Sequence, residues 1–398
     1  MNTLAYLLAA LPAALALYAY AGYPLLLRLL AALRPAPPAP ADPEEWPALS
    51  ISLPAYNEEA QLPGALDALL AADYPRDRLQ VLVISDASTD RTDDIARAYA
   101  DRGVSLLRRE RRGGKTAAEN AAVPHLTGSI VVNTDASIRV YPGALKALAR
   151  RFGDASVGVA SGRDVSVAAA EACANEAETG YVGYEMALRD LETRLGGIVG
   201  ASGCLYAIRL ELHRVPFPEN LSRDLAAPLI AREHGFRSVS AADALCAVPR
   251  TASLHREFHR KTRTISRGID TLWHKRALLD PLRYGGFALK LWSHKLCRWA
   301  VPPAAVLAVA ALAWLAPGRP WAAGLLAMAA AVNALAAVGW AWPRERPMPR
   351  LLAMAAFPVW GNLAVLGALA RLARGADDHV WEPTRRAVLP PGSVEQGA

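Results

Sequence analysis

The chain has 398 residues, 53% of them hydrophobic, and a formal net charge of +7. That length holds one domain of roughly 250 residues and something more, and the apolar share excludes a purely soluble globule as the whole account. The positive charge does not indicate nucleic acid, because it is local: residues 256–298 hold 11 Lys/Arg against 3 Asp/Glu. A basic stretch beside a membrane segment suits anionic lipid or a phosphate-bearing substrate.

The first element is residues 4–27, free of charge and long enough to span a bilayer of about 20 helical residues. It lacks a basic leader and is followed by Arg28 and Arg34, so it is expected to be an anchor rather than a cleaved signal peptide. We assign 1–33 to this anchor and 34–48, rich in proline, to an extended linker. An α/β alternation follows. Strands are expected at 49–54, 79–85, 104–107 and 129–134, with helices at 58–71, from Ser88-Thr89-Asp90 through 100, and at 115–125. Thr89 or Asp90 is suited to cap the second of these helices. Repeated βα units of this length imply a doubly wound parallel sheet. Beyond 150 the pattern loosens: strands at 157–161 and 237–241, helices at 168–195 and 223–234, and a Gly/Ser-rich stretch at 198–208. The α/β domain is taken as 49–254.

Residues 255–298 are basic and aromatic, as an interfacial segment would be. Three further charge-free segments, 299–318, 320–343 and 351–370, lie within a hydrophobic unit at 299–373, followed by a tail at 374–398. Arg28 and Arg34 after the first segment, and Lys290, Lys295 and Arg298 before the second, put the middle region in the cytoplasm. Arg371, Arg374, Arg385 and Arg386 break that rule if the last segment spans, and Pro358 permits a break within it. The four cysteines, Cys173, Cys204, Cys246 and Cys297, have no CxxC spacing, and a cytoplasmic location disfavours disulfides.

Several positions carry chemistry. Asp86 and Asp135 end the second and fourth strands, where open α/β sheets bind ligands. Two carboxylates there suit a ribose or base contact and a divalent metal on a diphosphate. The loop Pro54-Ala55-Tyr56-Asn57-Glu58-Glu59 ends the first strand, and Glu58 is expected to start a helix whose amides face the same crevice. Arg112-Gly113-Gly114-Lys115-Thr116 is not a phosphate-binding P-loop, since Arg109 stands where that motif needs glycine, but its cations can still meet phosphates. In Asn133-Thr134-Asp135-Ala136-Ser137 one acid remains, enough for Mg²⁺ or Mn²⁺ together with substrate phosphates. Asp224, after Ser222-Arg223, is either a general base or an acid in a capped first turn. His255-Arg256-Glu257-Phe258-His259 is not a zinc motif. Arg260 and Arg263 share a helix face and can receive a leaving diphosphate.

In this order these residues resemble the family 2 glycosyltransferases, the membrane-embedded group related to cellulose, chitin and hyaluronan synthases. The resemblance covers roughly 49–267 and the flanking membrane helices. It implies a GT-A-type nucleotide-binding fold and inverting transfer from a nucleotide-sugar, a UDP-sugar by analogy, to a lipid-linked or growing glycan. It places Pro54, Tyr56, Glu58, Asp86, Lys115, Asn120, Thr134 and Asp135 around the nucleotide, with Mg²⁺ or Mn²⁺ on Asp135. It makes Asp224 the base, puts the segment from Gly200 to Gly203, followed by Arg209, beside the acceptor, and assigns Arg260 and Arg263 to the diphosphate. Trp381-Glu382-Pro383-Thr384-Arg385-Arg386 resembles the tail of multi-helix members. A bacterial inner membrane location, membrane lipids and export or assembly partners follow from the same resemblance, and nucleic acid does not.

Three departures stand out. Ser137 replaces a second acid, Arg223-Asp224 holds one acid where the family has a pair, and Arg260-Lys261-Thr262-Arg263-Thr264 lacks the Gln and Trp of processive members. A single-addition enzyme acting on a polyprenyl phosphate or glycolipid, a nucleotidyltransferase, and a catalytically degenerate assembly subunit therefore remain as alternatives.

Overall fold

The structure, a computed structural model, describes residues 2–35, 38, 40–167, 174–249, 254–343, 348–375 and 389. Helix α1 (Asn2–Leu17) passes through a π turn into α2 (Tyr23–Ala32). The alternation then runs β1 (Leu49–Ala55), α3 (Leu62–Leu70), β2 (Leu79–Ser85), α4 (Thr92–Ala98), β3 (Val104–Arg108), α5 (Lys115–Ala122) and β4 (Ile130–Thr134). The second half is β5 (Arg139–Val140), α6 (Ala144–Arg150), β6 (Val157–Val167), α7 (Ala174–Arg194), β7 (Leu205–Arg209), α8 (Leu210–His213), α9 (Arg223–Glu233) and β8 (Arg237–Pro249). After it come α10 (Leu254–His274), α11 (Pro281–Tyr284), α12 (Gly286–Leu291), a π turn at Trp292–Leu296, α13 (Cys297–Leu315), α14 (Pro320–Ala341) and α15 (Arg350–Ala373).

The strands of the described residues join one sheet in the order β3-β2-β1-β4-β7-β6-β8-β5. The expected parallel arrangement holds for β1 to β4. Beyond β4 the sheet is mixed, which corrects only the expectation that all its strands are parallel: β7 runs antiparallel to both β4 and β6, β8 is parallel to β6, and β5 is antiparallel to β8. This reversal matters for the site. Thr134 at the end of β4 pairs with Leu205 at the start of β7, so the loop before β7 is delivered beside Asp135.

Every residue of β1 is buried, as a strand covered on both faces requires. One apolar cluster packs Leu62, Leu66 and Leu69 of α3 and Leu145 and Leu148 of α6 on the sheet. A second cluster packs Ala118 and Ala122 of α5 with Ala226 and Ile230 of α9. Helix α3 starts at Leu62, not at Glu58: residues 58–61 form a turn, with Leu62 N donating to Glu58 O at 2.9 Å. Pro63 suits the first turn of the helix, where its missing N–H is no loss.

Gly128 shows how tightly the first strands are set. A Cβ there would lie 2.6 Å from Leu49 C and Ser50 N, backbone atoms that cannot yield. Gly128→Ala is expected to cost about 1–3 kcal/mol, read as a lowered thermal midpoint of the purified protein, with activity per folded molecule unchanged.

Among the described residues, four helices are long and apolar enough to cross a membrane: Asn2–Ala32, Gly286–Gly318, Pro320–Ala341 and Arg350–Ala373. Many of their large apolar side chains, Leu7, Leu17, Trp314, Met328 and Leu351 among them, are exposed, as a lipid-facing surface would be. Two expectations change. Helix α15 runs unbroken through Pro358. The second long helix begins at Gly286, so Lys290, Lys295 and Arg298 belong to it rather than preceding it.

These cations make the joint between the helices and the α/β domain. Lys290 Nζ donates to the carbonyls of Glu192, Leu195 and Gly197 at 3.2, 3.0 and 2.8 Å. Glu192 also accepts from Tyr23 Oη at 2.7 Å, and His294 Nδ1 lies 2.8 Å from it. Arg298 pairs with Glu185. Helix α10 packs along α15, with Thr262 against Gly367, and the exposed Trp273, Leu282, Leu289 and Trp292 fit the interfacial expectation for this region.

Candidate functional site

The candidate site residues cluster at the carboxyl ends of β1, β2 and β4. The chain leaves β1 and β2 through Asn57 (φ +52°) and Ala87 (φ +60°), both left-handed, a region that disfavours a Cβ by about 1–2 kcal/mol. The two turns are stitched together. Thr89 N donates to Asn57 Oδ1 at 2.8 Å, Glu58 N to Thr92 Oγ1 at 2.8 Å, and Glu59 N to Asp90 Oδ2 at 3.0 Å. The Glu58 amide thus serves this clasp rather than the crevice. Asp90 also accepts from Thr92 N at 2.9 Å, so it is a loop clamp; the N-cap of α4 is Arg91.

Asp86 is buried and organises the following loop. Its carboxylate accepts from Gly113 N at 3.0 Å and Gly114 N at 2.6 Å, and pairs with Arg109. The Arg112 guanidinium carbon lies 3.6 Å from the centre of the Tyr56 ring, a cation–π pair beside the strand ends. Pro54 is buried in β1 opposite Ile84 and backs this loop.

Lys115 begins α5. Its ammonium donates to Asp135 Oδ1 at 2.6 Å and to Gly203 O at 2.9 Å. Burial alone would lower its pKa, but Asp135 and Glu119 more than reverse this and hold it above the ordinary range. The antiparallel entry of β7 therefore brings a carbonyl, a carboxylate and an ammonium to one point.

Asp224 sits in the first turn of α9, facing the same loop. A Cβ on Gly203 would lie 2.8 Å from its Oδ2, so glycine at 203 makes room for the carboxylate. Ser222, the N-cap residue, makes no side-chain cap bond; its hydroxyl donates to Asp224 Oδ1. Arg223 turns the other way, into the core, and donates to His213 O at 3.0 Å and to Asn120 Oδ1. Asn120 Nδ2 donates to Phe217 O at 2.8 Å.

Lys115, Asp135, Gly203 and Asp224 open into one cavity of about 940 Å³ between the α/β domain and the long helices. Of the residues expected at the site, Glu58, Lys115, Asp135, Gly203, Asp224, Arg260 and Arg263 line it. Pro54, Tyr56 and Asp86 belong to the adjoining strand-end loops and do not line it. Asn120 and Thr134 sit behind the wall: the amide of Asn120 is spent on the core, and Thr134 is buried within β4. Arg209, expected near the acceptor, instead braces a turn by donating to Val157 O at 2.7 Å. Arg260 makes a two-pronged pair with Glu257 at 2.6 and 2.9 Å, which fixes its direction. The expected tail motif at Trp381 to Arg386 lies outside the described residues.

Sequence reasoning missed Glu119. It is 1% exposed, neither carboxylate oxygen has a hydrogen-bond partner, and it lines the cavity beside Lys115. The (i, i+4) spacing from Lys115 was its one signal. Burial raises its carboxyl above the usual range, with Lys115 and Arg223 opposing. A raised carboxyl destabilises the fold where the unfolded chain is ionised, at neutral pH, and not below the ordinary carboxylate range. Glu119→Gln is therefore expected to raise the thermal midpoint by about 2 °C at pH 7, with the gain vanishing toward pH 4, while turnover falls.

A divalent metal would have one acid of its motif, Asp135, since Ser137 stands at the second position. Among the described residues no group of three or more His, Cys, Asp or Glu is placed to hold a metal ion. Asp135 with two donor phosphates meets the need of Mg²⁺ or Mn²⁺, which retain waters and accept few protein ligands.

Residues 50–181 match the family model "Glycosyl transferase family 2". The chain carries a family 2 glycosyltransferase domain. A mannosyltransferase from Pyrobaculum calidifontis, PcManGT, solved with GDP-Man and Mn²⁺, is similar over 93% of this chain and 100% of its own, with 26% identity and a TM-score of 0.71. The chain is 31% identical over 134 residues to an N-acetylglucosaminyltransferase of Mesorhizobium japonicum, covering 32% of this chain and 31% of that one. It is 32% identical over 150 residues to a beta-monoglucosyldiacylglycerol synthase of Synechocystis sp., covering 36% of this chain and 30% of that one. The chain thus spans about a third of the length of these two curated relatives. The matched stretch of the glycosyltransferase domain holds Tyr56, Asp86, Lys115 and Asp135, and Asp224 lies beyond it.

Proposed function

We propose that this protein is an inverting membrane glycosyltransferase, moving a sugar from a nucleoside-diphosphate donor to a hydroxyl of a lipid-linked or glycan acceptor. The observation that carries this reading is the single cavity that holds the Lys115–Asp135 pair and Asp224 around Gly203, and that long apolar helices close on the far side. The donor's base rests by the Tyr56–Arg112 pair. Its diphosphate lies near Asp135 and Lys115, with Arg260 and Arg263 as further cations. A bound Mg²⁺ or Mn²⁺ on Asp135 supplies neutralisation of the leaving diphosphate.

Asp224 takes the proton from the acceptor hydroxyl. The oxygen attacks the anomeric carbon as the bond to the diphosphate breaks on the opposite face. The nucleoside diphosphate leaves with the bonding electrons, and Lys115 with the two arginines meets its charge. The working unit is the domain at 49–254 with the basic helix that follows. The catalytic side lies on the cytoplasmic face of a bacterial inner membrane, a reading supported by Arg28 and Arg34 at the end of the first long helix and by Lys290, Lys295 and Arg298 in the first turns of the second.

Two donor bases compete. The family resemblance favours uridine. The similarity to PcManGT along nearly the whole chain favours guanosine, since that protein was solved with GDP-Man. The test is release of nucleoside diphosphate by the purified full chain with UDP-glucose, UDP-N-acetylglucosamine and GDP-mannose, each with Mn²⁺ and with chelator, in lipid extract. Metal-dependent release with one donor is expected. Pyrophosphate as product from any donor would mark a nucleotidyltransferase instead, and a folded protein that binds none of them would end the donor-site assignment.

A further inference from the structure

One side chain in the cavity has no use in the scheme above. Lys295 lines it and has no hydrogen-bond or ion-pair partner among the described residues. Its neighbours on the same helix are spent: Lys290 on three carbonyls and Arg298 on Glu185. Glu185, the acid of this corner, also lies 3.0 Å from His294 Nε2. Lys295 sits in the π turn at Trp292–Leu296, an insertion of the kind that re-aims side chains at functional sites. Glu185 acts on Lys295 only through its charge, being committed to His294 and Arg298, and a partly buried ammonium that makes no hydrogen bond is costly.

The ammonium is aimed at the acceptor side. A Cβ on Gly200 would lie 3.3 Å from Lys295 Nζ, as one on Gly203 would lie 2.8 Å from Asp224 Oδ2. The two charges thus flank opposite ends of one loop, whose Cα atoms are at most about 11 Å apart. Arg189 is tied to the same loop, donating to Ala201 O at 3.2 Å, and its Nε has no partner. Beyond Lys295 the cavity wall turns apolar, with Trp299, Val301, Phe357 and Val365.

We propose that Lys295, with Arg189, binds a phosphate carried by the acceptor lipid, close to the hydroxyl that Asp224 receives. This rests on the glycosyltransfer reading and narrows its acceptor to an anionic lipid, phosphate at the cation pair and hydrocarbon among the long helices, rather than a neutral diacylglycerol. Paired charge-assisted bonds to phosphate give both affinity and orientation.

The experiment is calorimetric titration of the full chain in dodecyl maltoside with decyl phosphate, decanol, inorganic phosphate and the nucleoside diphosphate of the working donor. Decyl phosphate is expected to bind at least about tenfold more tightly than decanol, to lose about tenfold in Lys295→Gln, and to keep most of its affinity in Lys295→Arg. Nucleoside diphosphate should bind Lys295→Gln as it binds the natural chain, which also certifies the fold. Equal binding of decyl phosphate to Lys295→Gln and the natural chain would overturn the proposal. So would inorganic phosphate binding as tightly as decyl phosphate, which marks a free-phosphate site, or a matching loss of nucleoside diphosphate, which returns Lys295 to the donor. Because these titrations need no turnover, the lipid site can stand or fall apart from the glycosyltransfer reading, whose own failure is the absence of any donor-dependent release.

Discussion

Asp224→Asn is expected to lower turnover by about 10²–10⁴-fold, the usual worth of a positioned general base, with nucleoside diphosphate affinity unchanged within about twofold. The substitution keeps the shape of the side chain and its contact with Ser222, so what is lost is the capacity to hold a proton. The competing account treats Asp224 as an acid in a helix first turn, worth about 0.3–1 kcal/mol of stability. Under that account the variant would lose a degree or two of thermal midpoint and keep its rate. The geometry argues for the base. Ser222 occupies the N-cap position yet spends its hydroxyl on Asp224 rather than on the helix amides, and Gly203 leaves room for the second carboxylate oxygen on the cavity side. Measuring kcat and thermal midpoint on the same preparation separates the two accounts.

What the sequence made legible, and what it hid, follows from how each feature is stabilised. β1, β2 and β4 are short buried runs, and burial on both faces leaves a continuous apolar signature. Their polar ends therefore marked Asp86 and Asp135 without help. β7 was hidden because the Gly/Ser-rich loop just before it, whose Gly203 meets Lys115, masks a strand of only five residues that is held by pairing with β4 from far along the chain. β5 is two residues long and has no local signal at all. The start of the second long helix was misplaced because a hydropathy window stops at charge. Lys290 loses its charge penalty to three carbonyls, a contact made with residues nearly a hundred positions away. Asn120 illustrates the opposite error: its place after Gly-Lys suggested a pocket residue, and its amide instead joins Arg223 to the core. Motif position identified the neighbourhood; which way each side chain turns was decided by partners that are remote in sequence.

The second large effect is expected at the Lys115–Asp135 pair, where function and stability should part. Asp135→Asn should reduce turnover by at least about 10³-fold, because it removes the acid that would hold the metal against the donor diphosphate, and it should abolish the Mn²⁺-dependent gain in nucleotide affinity. It should also destabilise the fold. Both side chains are more than four-fifths buried, at 18% and 17% exposure, and Lys115 would be left beside Gly203 O without its main counter-charge. Removing one partner of a buried pair costs up to about 3–5 kcal/mol, less where some solvent reaches it. The raised pKa of Lys115 makes the sign definite: its pairing stabilises fully below the ordinary lysine value of 10.5 and is lost only above it, so the penalty is present across the neutral range. Adding Lys115→Met to Asp135→Asn removes the stranded charge and should recover much of the thermal midpoint, with no recovery of turnover. A purely structural pair would behave otherwise, since restoring the fold would restore the rate. Recovery of activity in the double variant would therefore strip Asp135 and Lys115 of their place at the diphosphate, while recovery of stability alone would show that the pair holds the empty site together in the arrangement the donor requires.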